Sequence, residues 1–121
     1  MTKILIADDE EDFVKGLMIR VEAAGFEGVA VTDGEQVITQ CQKERPDLIV
    51  LDVMMPKMDG LQVCRMLKSN STTQNIPIIF LTAGAFDIAD ALDDLARGQD
   101  FLLKTINGEE IIERIKTILK R

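Results

Sequence analysis

Short apolar runs rich in branched residues alternate along the chain with longer segments of helical periodicity. The runs predict five strands, and the longer segments predict five helices. Five strand–helix units in series predict a parallel sheet with helices on both faces, because right-handed crossovers place them there. The predicted strands are Lys3–Ala7, Phe26–Val31, Asp47–Leu51, Ile76–Leu81 and Phe101–Leu103. The predicted helices are Glu11–Ala24, Gly34–Glu44, Leu61–Ser69, Phe86–Arg97 and Glu109–Lys120.

Local signals mark the ends of several of these elements. Gly25 follows the first predicted helix, where glycine commonly ends a helix. Asp33 and Asn107 precede two others and predict N-caps. Pro46 and Pro77 stand at strand entrances, where proline does not interrupt strand pairing.

Length and charge restrict the class of protein. A chain of 121 residues predicts one domain, residues 1–121, with enough apolar side chains for a single core. The formal charge of −7 argues against direct binding to nucleic acid or to an anionic membrane. No apolar run approaches the roughly 20 residues of a membrane span, and we expect a cytoplasmic protein.

The residue types available as metal ligands also restrict which metal ion the chain could bind. The chain has no histidine, and Cys41 and Cys64 each lie in a segment of helical periodicity, where we expect buried thiols. Any bound cation must therefore be held by oxygen atoms, which favours Mg2+ or Ca2+ over zinc.

Three carboxylates are predicted at the carboxyl ends of strands. Asp8 and Asp9 follow the first strand, and Asp52 follows the third. In an open parallel sheet, ligands bind at this edge. Taken alone, the Asp8-Asp9 pair is explained at least as well by an acidic helix entrance. Asp52 would be costly at the end of an apolar strand without a compensating partner, and a cation shared by the three acids would supply one.

Two further strand ends carry groups suited to phosphoryl transfer. Thr82 offers a hydroxyl donor after the fourth strand, and Lys104 offers a cation after the fifth. Individually, these residues could be an N-cap and a solvated charge. As a set on successive strand ends, they favour a phosphoryl site.

With these residues in view, the chain resembles the receiver domains of bacterial two-component response regulators along essentially its whole length. The most specific match is Pro46–Gly60, with the sequence PDLIVLDVMMPKMDG. The opening Ile4–Glu10 is similar to the family's acidic pair. Thr82 lies 30 positions after Asp52 and Lys104 lies 52 after it, as in the family.

The resemblance implies a flavodoxin-like, doubly wound five-stranded sheet of order 2-1-3-4-5. It implies that Asp52 accepts a phosphoryl group, and that Asp9 and Asp52 bind Mg2+ directly. Asp8 would act largely through a bound water, and the backbone carbonyl of Met54 would complete the protein ligands.

The resemblance also implies how the signal leaves the site. Thr82 would donate its hydroxyl to the phosphoryl group, and Lys104 would pair with that group. Phe101 occupies the aromatic switch position, whose ring turns inward when the threonine moves. The output surface would comprise the fourth predicted helix, the fifth strand and the fifth helix.

The expected partners follow from the same resemblance. The phosphoryl donor would be a sensor histidine kinase or a phosphotransfer protein, and the output would act on a downstream effector domain or protein. The chain would be a monomer or a homodimer favoured by phosphorylation. It would promote its own phosphorylation and slow dephosphorylation without being a metabolic enzyme.

The sequence departs from the family pattern in two places. Thr105 follows Lys104 where the family usually has proline, often after a cis bond, and a cis bond without proline costs roughly 2.5–4 kcal/mol. Arg97 stands where the family has glycine, and Gly98 follows one position later. These departures predict an altered setting for Lys104 and a rebuilt loop before the fifth strand.

Two positions bear on how long the phosphoryl group would last. Met54 and Gly84 lie two residues beyond Asp52 and Thr82, where family members tune the phosphate lifetime. Neither side chain can position an attacking water by hydrogen bonding, which predicts a comparatively long-lived phosphoryl group.

Two other functions compete with this interpretation. A Mg2+-dependent aspartyl-phosphate hydrolase uses a similar set of groups. Such enzymes have a second acid two residues after the nucleophile, where this chain has Met54. A degenerate receiver serving only as a phosphorylation-independent interaction module is favoured by Thr105 and the altered loop. The complete set Asp8, Asp9, Asp52, Thr82 and Lys104 opposes it.

Overall fold

The computed structural model describes residues 1–82, 100–104 and 107–120, and it contains a five-stranded parallel sheet of order β2-β1-β3-β4-β5. This order confirms the predicted doubly wound topology. The strands are β1 (Lys3–Ala7), β2 (Glu27–Val31), β3 (Leu48–Asp52), β4 (Ile78–Thr82) and β5 (Asp100–Leu103). The described helices are α1 (Glu11–Ala23), α2 (Gly34–Glu44), α3 (Gly60–Lys68) and α4 (Gly108–Leu119). The helix predicted at Phe86–Arg97 lies outside the described residues.

Both faces of the sheet are covered, because successive strand residues point to opposite sides. In β1, Ile4 packs in one buried cluster and Leu5 in the other. The cluster containing Ile4 includes apolar residues of α1 and α4. The cluster containing Leu5 includes apolar residues of α2 and α3, among them the buried thiols Cys41 and Cys64. The central strands β3 and β4 are buried along their whole length and are apolar except for their last residues, Asp52 and Thr82.

Three of the predicted helix-end signals are confirmed, although the helix bounds differ from the predicted ones by one residue at several ends. Gly25 adopts a positive φ of 91° directly after the αR cap residue of α1. The side chain of Asp33 accepts a hydrogen bond from the backbone N–H of Gln36 at 2.9 Å. Asn107 accepts one from Glu109 at 2.7 Å. No described helix has the length and hydropathy needed to cross a membrane.

Two strands end one residue later than predicted. Asp52 is the last residue of β3 and pairs with Leu81, and Thr82 is the last residue of β4 and pairs with Leu103. The parallel ladder continues past the apolar run because Val53 N–H donates to Leu81 O at 3.0 Å. The sheet itself therefore fixes the backbone of both polar residues.

The start of α3 packs closely against the end of β3. Gly60 N–H donates to Val53 O at 2.8 Å, and Asp59 caps the helix by accepting from Gln62 N–H. A Cβ at Gly60 would lie 2.6 Å from Asp52 O and 2.9 Å from Val53 Cα. Only glycine permits this approach, since both neighbours are backbone atoms.

We expect Gly60→Ala to lower the free energy of unfolding by roughly 1–3 kcal/mol, because the added methyl group overpacks the β3–α3 junction. Gly16→Ala is the matched control, since a Cβ there meets nothing within 4 Å in the exposed middle of α1. That substitution should raise stability by roughly 0.5–1 kcal/mol through helix propensity. Urea unfolding measures both effects, and equal behaviour of the two variants would contradict the packing argument.

Candidate functional site

The three predicted carboxylates meet at the carboxyl edge of the sheet. Ala7 pairs with Leu51, so the residues that follow β1 lie beside the end of β3. One carboxylate oxygen from each of Asp8, Asp9 and Asp52 lies within 4.8 Å of the others. Asp8 is completely buried and Asp52 is 5% exposed, whereas Asp9 is exposed. Of these three residues, Asp9 is therefore the one accessible to solvent.

The donor set fits a hard divalent cation. All three groups offer carboxylate oxygens, which Mg2+ and Ca2+ prefer. The buried Oδ2 of Asp8 lies 2.8 Å from Lys104 Nζ, and no other donor of the described residues forms a hydrogen bond with it. A carboxylate oxygen has further acceptor capacity, which a cation could use. The geometry supports the interpretation of Asp8-Asp9 as ligands over that of a helix entrance alone.

Lys104 supplies the positive charge at this site. Its Nζ lies 3.0 Å and 2.8 Å from Oδ1 and Oδ2 of Asp8, and 3.4 Å from Oδ2 of Asp52. Nζ also donates to the Glu10 carboxylate and lies 5.0 Å from the centroid of the Phe13 ring. Burial alone would lower the pKa of Lys104, but hydrogen bonds to Asp8 and Glu10 and the charge of Asp52 raise it above its usual value. The lysine is therefore fully charged at neutral pH.

The surroundings of Asp52 disfavour its charged form, whereas those of Lys104 favour the charged form of the lysine. Burial and the nearby charge of Asp8 raise its pKa from 3.8 to about 6, against the opposing effect of Lys104. Met54 N–H also favours the ionised form by donating to Asp52 Oδ1 at 3.2 Å. Burial and the neighbouring Asp8 thus disfavour the ionised form of Asp52 more than Lys104 and Met54 N–H favour it.

Of the remaining predicted residues, Thr82 lies at the end of β4 and Met54 follows β3, whereas Phe101 lies within β5. Thr82 is buried at the end of β4, and its carbonyl accepts a hydrogen bond from Lys104 N–H at 2.8 Å. Phe101 is partly buried, and its ring stacks on that of Phe80 with centroids 4.9 Å apart. The Met54 side chain is 74% exposed. Because it is a thioether, it offers no acid for a hydrolase mechanism. The Met54 carbonyl as a metal ligand stays a prediction.

Sequence reasoning missed two residues that contact Lys104. Neither Glu10 nor Phe13 is among the site residues predicted from the sequence. No local pattern identifies their contacts, because Lys104 is 94 positions from Glu10 along the chain. The departures at Thr105, Arg97 and Gly98, like Gly84, lie outside the described residues.

The fold and the site together define a doubly wound α/β protein with an acidic cluster at its topological switch point. Residues 4–116 match the family model of the response regulator receiver domain. The chain belongs to this family, whose members are signalling proteins and not metabolic enzymes.

Curated relatives support this assignment. The chain is 38% identical over 119 residues to the alkaline phosphatase synthesis transcriptional regulatory protein PhoP of Bacillus subtilis, covering 98% of this chain and 49% of that protein. It is 35% identical over 120 residues to the DNA-binding response regulator MtrA of Mycolicibacterium smegmatis, covering 98% of this chain and 51% of that protein. The chain thus spans about half the length of these relatives.

Solved structures agree with the fold. A putative response regulator from Chloroflexus aurantiacus is 30% identical, with a TM-score of 0.87 and coverage of 99% of this chain and 98% of that one. The BeF3-activated receiver domain of RstA from Klebsiella pneumoniae is 26% identical, with a TM-score of 0.85 and coverage of 99% and 100%. The receiver domain of sensor histidine kinase PA1611 from Pseudomonas aeruginosa, which has magnesium in its active-site cleft, is 26% identical, with a TM-score of 0.84 and coverage of 96% and 95%.

The raised pKa of Asp52 predicts that Asp52→Asn stabilises the metal-free protein at pH 7. Since the folded-state pKa of about 6 exceeds the ordinary 3.8, the folded wild type binds more protons than the unfolded chain between these values, and its stability falls as pH rises through this window. We expect a gain of about 1–3 kcal/mol for Asp52→Asn at pH 7 that disappears below about pH 4.

Urea unfolding in EDTA at several pH values measures this difference. Glu113→Gln, which removes an exposed carboxylate of α4, should show no comparable gain in the same window. An Asp52→Asn variant no more stable than wild type at pH 7 would contradict the charge imbalance inferred at the site.

Proposed function

We propose that this chain is a phosphorylation-dependent switch in which Asp52 accepts a phosphoryl group with the help of Mg2+. The observation that carries the proposal is the convergence of Asp8, Asp9 and Asp52 within 4.8 Å, with Lys104 Nζ at 3.4 Å from Asp52. A carboxylate nucleophile, a set of possible cation ligands and a lysine then lie together at one edge of the sheet. This is the set of groups that a phosphoryl acceptor requires.

The protein contributes mainly position and charge to the transfer. A carboxylate oxygen of Asp52 attacks the phosphorus atom, and the bond from phosphorus to the donor breaks. Lys104 pairs with a phosphoryl oxygen, and the hydroxyl of Thr82 donates to another. Both residues are fixed by the ends of neighbouring strands, which keeps them close to the acceptor.

The metal ligands would be Asp9 and Asp52 directly, Asp8 largely through water, and the Met54 carbonyl. Receiver domains bind Mg2+ in an acidic pocket, and the donor set here suits that ion. When bound, Mg2+ would neutralise charge on the carboxylates and on the incoming phosphoryl group.

The output would begin with Thr82 and Phe101. Phosphorylation adds nearly two negative charges at Asp52, and movement of Thr82 toward them would change the space available to Phe101. The Phe101 ring already stacks on Phe80, which pairs with it across β4 and β5. A shift of this ring would alter the surface around β5 and α4.

The partners are proposed from the family. We expect a sensor histidine kinase or phosphotransfer protein as donor, and an effector domain or protein as the target of the output. Residues 1–121 would act as one receiver domain, as a monomer or a homodimer favoured by phosphorylation. The cytoplasmic location expected from the sequence stays a prediction.

Incubation with acetyl phosphate and Mg2+, followed by mass spectrometry, tests the acceptor. The wild type should gain one phosphoryl group, and Asp52→Asn should gain none. Asp47→Asn is a matched control, since Asp47 directly precedes β3 at the opposite edge of the sheet, where it accepts a hydrogen bond from Lys3 N–H, and it should be phosphorylated normally. Absence of any Mg2+-dependent adduct would favour the interaction module, and repeated turnover of a phosphomonoester would favour the hydrolase.

The exposed, apolar Met54 predicts slow loss of the phosphoryl group. We expect Met54→Asn to hydrolyse faster than wild type, because an amide can hold a water by hydrogen bonding where a thioether does so only weakly. Met66→Asn, at an exposed position of α3, should leave the lifetime unchanged. Decay of the phosphorylated wild type within seconds in Mg2+ buffer would contradict a long lifetime.

A further inference from the structure

Lys104 is shared among more carboxylates than the phosphoryl site needs. Besides Asp8 and Asp52, its ammonium group donates to Glu10, whose side chain is 64% exposed. The lysine side chain itself is only 13% exposed and lies over the Phe13 ring. Glu10 therefore contacts Lys104 from the solvent side, whereas Asp8 and Asp52 contact it from the buried side.

The backbone fixes this arrangement. Glu10 precedes α1 as its N-cap residue, but its side chain makes no capping hydrogen bond. Its backbone N–H instead donates to Asp8 Oδ1 at 2.9 Å, the same oxygen that accepts from Lys104 Nζ at 3.0 Å. The Glu10 carboxylate is thus oriented toward the lysine and away from the helix.

We propose that Glu10 is a positioning residue that holds Lys104 at rest and competes with the incoming phosphoryl group for its ammonium. This inference rests on the proposed phosphoryl-acceptor function. An ammonium group has three donors, and here Asp8, Glu10 and Asp52 accept from them. A phosphoryl oxygen can pair with Lys104 only if one of these contacts is given up. Glu10 is the contact most easily lost, because it alone of the three is exposed to water.

Binding of beryllofluoride at saturating Mg2+ measures this competition. We expect Glu10→Gln to bind beryllofluoride roughly two- to fivefold more tightly than wild type, the range that loss of an exposed ion pair allows. Glu10→Asp keeps the charge but shortens the side chain by one methylene. It should shift affinity in the same direction, because the shorter carboxylate reaches Lys104 less well.

Glu11→Gln is the matched control, since Glu11 is the next acidic residue and is also exposed. It should bind beryllofluoride as the wild type does. Equal tightening in Glu11→Gln and Glu10→Gln, or wild-type affinity in Glu10→Asp, would show that Glu10 acts only through its net charge and would overturn the proposal. Unchanged affinity in Glu10→Gln would also overturn it.

A second readout needs neither metal nor phosphate analogue. In EDTA, the 15N-detected signal of the Lys104 ammonium should shift in Glu10→Gln and Glu10→Asp and stay in place in Glu11→Gln. A wild type that forms no Mg2+-dependent adduct would defeat the proposed function. If the wild type does form the adduct but the Lys104 signal stays in place in Glu10→Gln and Glu10→Asp, this inference alone is overturned.

Discussion

Burial of the parallel sheet on both faces is the constraint on which the rest of the structure depends. Each central strand must be apolar along its length because helices cover both of its sides. Polar chemistry is thereby confined to the strand ends, and parallel strands bring their carboxyl ends to one edge. The same constraint that builds the core in two layers, around Ile4 and Leu5, also gathers Asp8, Asp52 and Thr82.

Acidic side chains that lie close together at a buried edge repel one another, and the fold compensates this repulsion only in part. Lys104 lies within ion-pair distance of Asp8 and Asp52, yet the pKa of Asp52 remains raised. The negative charge of the cluster is therefore compensated only in part, and its carboxylate donors suit a cation. This incomplete compensation links the stability of the fold to its proposed chemistry, because ligands that complete the charge balance also stabilise the folded state.

Most of the architecture could be predicted from local patterns. Apolar periodicity identified all five strands, and capping residues such as Asp33 and Asn107 marked helix starts that the structure confirms. Strand ends were less certain, because hydrogen bonding in the ladder extends past the apolar run to include Asp52 and Thr82. The close approach of Gly60 to β3 was also not evident, since glycine at that position is equally compatible with an ordinary turn.

The sequence by itself determined the fold class, the strand order expected from its family resemblance, and the identity of the candidate site residues. The fold class and the candidates Asp8, Asp9, Asp52, Thr82 and Lys104 depend on periodicity, residue type and position at strand ends, all of which are local. The strand order and the roles of Met54 and Phe101 follow from the resemblance to the family. Only the tertiary structure decided which charges touch. The carboxyl ends of β1 and β5 lie at the same edge of the sheet, and this brings Lys104 into contact with Glu10 and Phe13. No local pattern predicts a contact between residues 94 positions apart.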